Sequence, residues 1–334
     1  MRAIVCREFG DFGNMAVEDI PPPALTPGGV RIGVRVAGLS YGGTLVVAGR
    51  YQRKPPLPFI PGTEVAGEVL EVAQGVTRVK PGDLVYANPD WGGEAEQVVA
   101  HEVNVHPMPS GMRFDEGVQM PNSYATAAAC LTWTADLRPG ETVLVHAAAG
   151  GVGIPAVEMG KAMGATVIAC ASSAEKLAHA AAHGADHGID YSAGRFRDEV
   201  KALTDGRGAD VIVDSVGGAV TLESLRCIAR EGRIVTIGYA SGDIPAVPIN
   251  YLMLKSASLR GLNYGIYIGW SPGDGRVEHA PKVFALQERM MDWYRAGALR
   301  PEVGPRFALE DFRDAMAAIV ERRAVGKVVL DMNL

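Results

Sequence analysis

Apolar positions along the chain change their spacing twice. From residue 1 to about 120 they come in short runs, at 30–37, 64–72, 84–87 and 97–100. Turn signals close these runs, among them Pro27-Gly28-Gly29, Pro61-Gly62 and Lys80-Pro81-Gly82-Asp83. Short strands punctuated in this way predict an all-β, barrel-like module, entered by a strand at the N-terminus itself.

From Pro121 to about Gly261 strand-like runs alternate with helical ones. Strands are expected at 142–147, 165–169, 187–189, 211–214, 233–237 and 258–262, and helices at 152–163, 174–183, 196–203 and 220–228. Alternation at this pitch predicts a parallel sheet covered by helices on both faces. Beyond Gly261 the pattern gives a helix at 280–296, a second helical stretch at 309–322, and a closing strand at Gly326-Lys327-Val328-Val329-Leu330. The expectation is an α/β chain in which the tail returns to the first module. Residues 1–120 and 262–334 then form a catalytic domain around an inserted doubly wound domain at 121–261. Pro272-Gly273-Asp274-Gly275 reads by composition as a mobile stretch that gates a cleft.

At 334 residues, two domains are the default. A net charge of -6 without a basic block argues against nucleic acid as a partner. No run approaches the ~18 uncharged apolar residues of a membrane span, and the N-terminus carries no apolar signal segment, so the cytoplasm is expected. The four cysteines, Cys6, Cys130, Cys170 and Cys227, are isolated and read as reduced thiols.

The richest segment runs from Glu141 to Gly164. A buried strand enters Ala147-Ala148-Ala149-Gly150-Gly151-Val152-Gly153, and a helix of good formers follows. This is the dinucleotide-loop spacing with Ala148 at the first glycine position. Gly150 permits backbone approach to a pyrophosphate, Gly153 permits tight helix packing, and the helix N-terminus offers N–H groups to phosphate. An NAD site expects a carboxylate at the tip of the second strand. Here the tip reads Cys170-Ala171-Ser172-Ser173, and Glu175 comes only on the following helix. Ser172, Ser173 and Lys176 suit a 2′-phosphate instead, which favours NADPH over NADH. Lys176 by itself also reads as a solvated helix charge.

Ordered landmarks extend through the chain: Leu57-Pro58-Phe59-Ile60-Pro61-Gly62-Thr63-Glu64, Lys80-Pro81-Gly82-Asp83, the glycine-rich loop, Gly184-Ala185-Asp186, Val213-Asp214-Ser215-Val216-Gly217-Gly218 and Gly232-Arg233-Ile234-Val235-Thr236-Ile237-Gly238. With these, the chain resembles the zinc-independent quinone oxidoreductases of the medium-chain dehydrogenase/reductase superfamily. The resemblance implies a GroES-like catalytic domain, a Rossmann domain, NADPH in the cleft between them, and a homodimer. By motif position it implies that Lys176 and Tyr191 hold the 2′-phosphate, that Thr126 lies near the nicotinamide, and that Tyr239, Ser241 and Asn263 line the cofactor cleft. Packing beside a turn is the other reading of Tyr191, and a back-bond within a helix that of Thr126.

Zinc-dependent relatives carry Gly-His-Glu where this chain has Gly62-Thr63-Glu64, and a cysteine in the region of Gly38-Leu39-Ser40-Tyr41. Thr63 cannot replace an imidazole ligand, so no metal is expected. Hydrogen-bond donors must then polarise the acceptor. The candidates are Ser40, Tyr41 and Tyr51, with Ser40 and Gly43 standing where relatives often carry Asn and Asp. A tyrosine with an ordinary pKa of about 10 donates well and is a poor base at neutral pH. The expected substrate is a small molecule, a quinone or an α,β-unsaturated carbonyl. The competing readings are an enoyl-thioester reductase, for which Arg50, Arg53 and Lys54 offer a basic approach, and a non-catalytic NADPH-sensing or nucleic-acid-binding protein.

Overall fold

The computed structural model describes all of the chain except Pro272 and Arg322, together with the backbone but not the side chain of Ala193. The expectations that fall on Pro272 and Arg322 lie outside the described residues. The chain divides into two compact units. One comprises Met1–Asn122, Gly265–Ala285 and Pro301–Leu334, and the other Ser123–Tyr264 and Leu286–Arg300.

In the second unit six parallel strands lie in the order His187–Asp190, Thr166–Ala171, Thr142–Val145, Ala209–Asp214, Ile228–Thr236, Ser258–Gly261. Numbered along the chain this is 3-2-1-4-5-6, the doubly wound arrangement. The central strands are buried end to end: Val143, Leu144, Val145, Val211 and Ile212 have no exposure. That explains their unbroken apolar runs, since helices cover both faces. The connecting helices are Gly153–Ala162, Ala174–Ala182, Phe196–Leu203 and Gly218–Cys227.

The first unit is built on a seven-stranded sheet around the long strand Gly29–Gly38. Along one edge this strand pairs throughout with Val65–Val72. On its other edge the N-terminal half pairs with Gln97–His101, and the C-terminal end with the closing strand Lys327–Asp331. The tail is thereby tied antiparallel into the sheet of the N-terminal module. Its apolar core gathers Ile4, Val30, Ile32, Val65, Val85, Phe312 and Leu330. The helix Phe312–Val320 presses Phe312, Ala315 and Met316 into that core.

Candidate functional site

A doubly wound sheet opens a crevice at the carboxyl ends of strands 1 and 4, where chain direction diverges. In this protein those are Thr142–Val145 and Ala209–Asp214, which pair directly. After the first of them the chain turns sharply. His146 N donates to Val213 O, Ala148 N to Cys170 O and Gly150 N to Ala147 O. The left-handed residue in this turn is Ala147, with φ of 50°. Ala148 therefore needs no glycine conformation, which accounts for the alanine at the first loop position. Gly153 is a steric requirement: a Cβ there would lie 2.2 Å from Ala147 O and 2.7 Å from the Ala148 backbone. The helix Gly153–Ala162 starts with no side-chain cap. In its first turn Ile154 N donates to Gly150 O and Ala156 N to Val152 O, and Pro155 has no N–H, so the groups that can meet an anion are the loop amides ahead of the helix, at the positive end of its dipole.

All but one of the other candidate cofactor residues follow the carboxyl ends of the strands. Ser172 is exposed and Ser173 caps the helix Ala174–Ala182, its Oγ accepting from Lys176 N at 3.3 Å. Lys176 is half-buried in the first turn of that helix, and Glu175 beside it is exposed. Tyr191 opens the turn after strand 3, where Asp190 Oδ1 accepts from Ser192 N at 2.9 Å. Asp214, fully buried, accepts from Val216 N and Gly217 N at 2.9 Å and from the Thr221 hydroxyl. It fixes the turn after strand 4. The chain after strand 5 lies against this turn, with Ala240 N donating to Ser215 O and Ser241 N to Val216 O. Tyr239 stands half-exposed beside Gly217, where a Cβ would come within 2.7 Å of its ring. Asn263 follows strand 6 and is exposed. Thr126 sits apart from the strand ends, half-buried on the helix Ala125–Ala129, which packs on Gly153–Ala162.

His146 is fully buried behind the loop. Its Nε2 is 2.8 Å from Ser224 Oγ, whose proton goes to Val220 O. The imidazole therefore donates from Nε2, and Nδ1 has no hydrogen-bond partner among the described residues. Burial pulls its pKa down to about 4 against the opposing field of Asp214, so it is neutral at physiological pH.

In the first unit Ser40 caps the helix Tyr41–Val47, its Oγ accepting from Gly43 N at 3.1 Å. Used as an acceptor, this hydroxyl keeps its own proton available to donate. Tyr41 is half-buried on the same helix. Tyr51 packs against Trp270 with ring centroids 5.2 Å apart, and burial raises its pKa, so it holds its proton. Glu64 is fully buried: Lys327 Nζ approaches Oε2 to 2.6 Å and Asn122 Nδ2 donates to Oε1 at 2.9 Å. Of the three basic residues at 50–54, Arg53 is held in place, donating to Gly269 O at 2.7 Å and lying over the rings of Trp91 and Trp270.

Sequence reasoning passed over one group in this region. Glu94 is 2% exposed, yet it stands in Gly93-Glu94-Ala95-Glu96, which reads as a polar loop. Ser40, Gly43, Thr63, Trp91, Glu94 and Trp270 are among the residues that line one small cavity.

Two family models match this chain: the alcohol dehydrogenase GroES-like domain over residues 26–130 and the zinc-binding dehydrogenase over residues 151–271. Quinone oxidoreductase-like protein 2 of Rattus norvegicus is 38% identical over 333 residues, covering 99% of this chain and 92% of the relative. The chain belongs to the quinone oxidoreductase family of the medium-chain dehydrogenase/reductase superfamily. Solved quinone oxidoreductases share its fold throughout. The one from Pseudomonas syringae pv. Tomato has a TM-score of 0.90 at 32% identity, with 99% of each chain covered. The Escherichia coli quinone oxidoreductase, solved in complex with NADPH, has a TM-score of 0.90 at 25% identity over 99% of this chain and 100% of that one. As a family member the protein is an oxidoreductase with a GroES-like domain and a Rossmann-type domain. No helix among the described residues is long and apolar enough to cross a membrane.

Proposed function

We propose that the protein is an NADPH-dependent reductase that delivers hydride, without a metal, to a quinone or to the β-carbon of an α,β-unsaturated carbonyl. The observation that carries this reading is the strand-1 turn. Gly153 opens the uncapped helix that follows the central strand of a 3-2-1-4-5-6 sheet, and it meets Ala147 O too closely for any side chain. Backbone N–H groups of Ala149, Gly151, Val152 and Gly153 would receive the pyrophosphate, which would pass close over Gly150, whose own N–H is held by Ala147 O. Ser172, Ser173, Lys176 and Tyr191 would surround the 2′-phosphate, in a setting where the second strand ends without a carboxylate. Thr126, Tyr239, Ser241 and Asn263 would line the rest of the cofactor. The structural relatives solved with NADPH support the same choice of nucleotide.

When bound, NADPH supplies the hydride, and the chain's own residues manage orientation and charge. Ser40 Oγ–H donates to the acceptor oxygen as negative charge develops there. Tyr51, with its pKa raised, cannot act as the base, and its ring on Trp270 forms an apolar wall. Tyr41 is a second donor candidate. Metal independence is supported by the chemistry at Gly62-Thr63-Glu64. Thr63 offers no imidazole, and the Glu64 carboxylate is already matched by the Lys327 ammonium.

The small-molecule reductase would work as a homodimer. Its sheet ends on the strand Ser258–Gly261, which among the described residues pairs on one side only. Ile244, Ile249, Met253 and Leu254, close by in sequence, are all more than 70% exposed. A second copy is the natural cover for such an edge. The four buried, unpaired cysteines suit the cytoplasm.

The deciding experiment is steady-state oxidation of NADPH over quinones, enones and enoyl thioesters, with and without a chelator. Chelator-insensitive reduction of quinones or enones is the expected result. Metal-dependent alcohol oxidation with no such reduction would overturn the reading, and a strong preference for thioesters would replace its substrate.

A further inference from the structure

The cavity bordered by Ser40 holds an unexplained group. It measures about 20 Å³, against the ~10–15 Å³ needed to hold one water. Its walls include Ser40, Thr63, Trp91, Trp270 and Glu94. The main chain of Glu94 is held on both sides. Its N donates to Pro61 O, its carbonyl accepts from Ile4 N, and its Cγ lies where a Cβ on Gly62 would come within 2.8 Å. The carboxyl Oε2 is buried and has no hydrogen-bond partner among the described residues. A buried polar atom without a partner is rare in a native fold and calls for a role or an unseen water.

We propose that Glu94 is the proton store of the substrate site, passing its carboxyl proton through one water in this cavity to Ser40. The step rests on the hydride-transfer reading above. The acceptor gains a hydride at carbon, and the electron pair of its π system moves onto the carbonyl oxygen. Ser40 Oγ–H protonates that oxygen. A cavity water reprotonates Ser40 and takes the Glu94 proton in turn, leaving a carboxylate that solvent recharges before the next turnover. Ser40 is suited to this exchange because it caps its helix as an acceptor and keeps its O–H bond unassigned.

The electrostatics agree with the geometry. Burial alone pushes the Glu94 carboxyl up to about 8, so the group carries its proton at neutral pH. Among its surroundings is the Cys6 thiol, whose own pKa is pushed up first by burial and further by Glu94 once that carboxyl ionises. Arg53 lies over the rings of the two tryptophans, with Asp90 3.7 Å from its guanidinium. Glu94 acts through Ser40 and is therefore a positioning residue, not a catalytic one.

The test has two arms. In the nucleotide-free protein, NMR of isotope-labelled glutamate carboxyls should find one group titrating near pH 8, absent in Glu94→Gln. Titration of Glu94 in the ordinary carboxylate range would overturn the proposal. In turnover, wild-type kcat should decline above about pH 8. Glu94→Gln should lose that alkaline limb and about a hundredfold in kcat, with the KM for NADPH unchanged. Ser40→Ala, which leaves Glu94 in place, should show the same loss, and the double variant should fall no further. Ser40→Ala carries the kinetic arm if Glu94→Gln does not fold. Additive losses, or an unchanged alkaline limb in either variant, would overturn the relay. No turnover by the wild-type protein would sink the hydride-transfer reading and this step with it, whereas turnover with an unchanged limb in Glu94→Gln sinks the proton store alone.

Discussion

Lys327 Nζ lies 2.6 Å from Glu64 Oε2, with neither side chain more than 4% exposed. The pair joins the closing strand to the residue that follows Thr63, and Gly38 lies under it. A Cβ on Gly38 would come within 3.0 Å of Lys327 Cε and 3.2 Å of Glu64 Cβ. Removing one partner leaves the other charge buried, which costs about 3–5 kcal/mol. Lys327→Met should therefore lower the urea midpoint strongly. Glu64→Gln combined with Lys327→Met should recover part of that loss, because no lone charge remains. A double variant no more stable than Lys327→Met would show that the pair is not coupled.

The two loop glycines should separate in their effects. Gly153→Ala forces a Cβ to 2.2 Å from a backbone oxygen, and only movement of the turn can relieve it. A stability loss of about 1–3 kcal/mol, together with lost NADPH binding, is expected. Gly150→Ala meets only Ala147 O, at 3.1 Å. Its stability should change by less than about 1 kcal/mol, while its Kd for NADPH rises because the new methyl occupies the path of the phosphate. Thermal melts and calorimetric titration of the same variants read both quantities.

Lys176→Ala tests the nucleotide preference. Loss of a charged hydrogen bond of about 1.5–3 kcal/mol predicts a KM for NADPH raised some tenfold to hundredfold. The KM for NADH should barely move. Equal effects on the two cofactors would remove Lys176 from the phosphate site.

Glu94 also imposes a pH dependence on stability. Its carboxyl is raised from 4.5 to about 8 in the folded chain. Between those values the native state holds a proton that the unfolded state has released, so unfolding becomes easier as pH rises. This one group removes about 1.4 kcal/mol of stability per pH unit across that window. The contribution is whole below pH 4.5 and gone above about 8. Denaturation of wild type and Glu94→Gln at a series of pH values should differ by this slope, and parallel curves would refute the buried acid.

All four thiols are buried, and burial raises the Cys130 and Cys227 pKa values to about 12. A thiol reagent should find no reactive cysteine in the native protein and four after denaturation. Rapid labelling of any one before unfolding would contradict its burial.

Periodicity made the parallel sheet legible because strands covered on both faces leave unbroken apolar runs, as at Val143–Val145. It misled at the fifth strand. The expectation began at Arg233, whereas the strand starts at Ile228. Arg230 and Glu231 are exposed there and Glu231 has positive φ, so a real strand carries a polar kink in its middle. The π-helical turns at Met120–Tyr124 and Cys130–Thr134 had no signal in propensity. The glycine loop was readable because its glycines answer to backbone contacts only a few residues away. Glu94 was not, because its burial comes from Ile4 and Gly62, distant in sequence, and nothing local distinguishes it from Glu96. Ser40 was nominated for its chemistry, and its capping role emerged only with the helix that follows it.

Gly62 has φ of 94°, and a Cβ there would lie 2.6 Å from the backbone N of Glu94 and 2.9 Å from Gly93 C, whatever side chain residue 94 carries. The two positions therefore answer to different constraints. At 62 the limit is set by main chain, which no rearrangement of side chains can relieve. At 94 the main chain is held from both sides by Pro61 and Ile4, so a substitution there changes the chemistry of the side chain and leaves the path of the backbone alone.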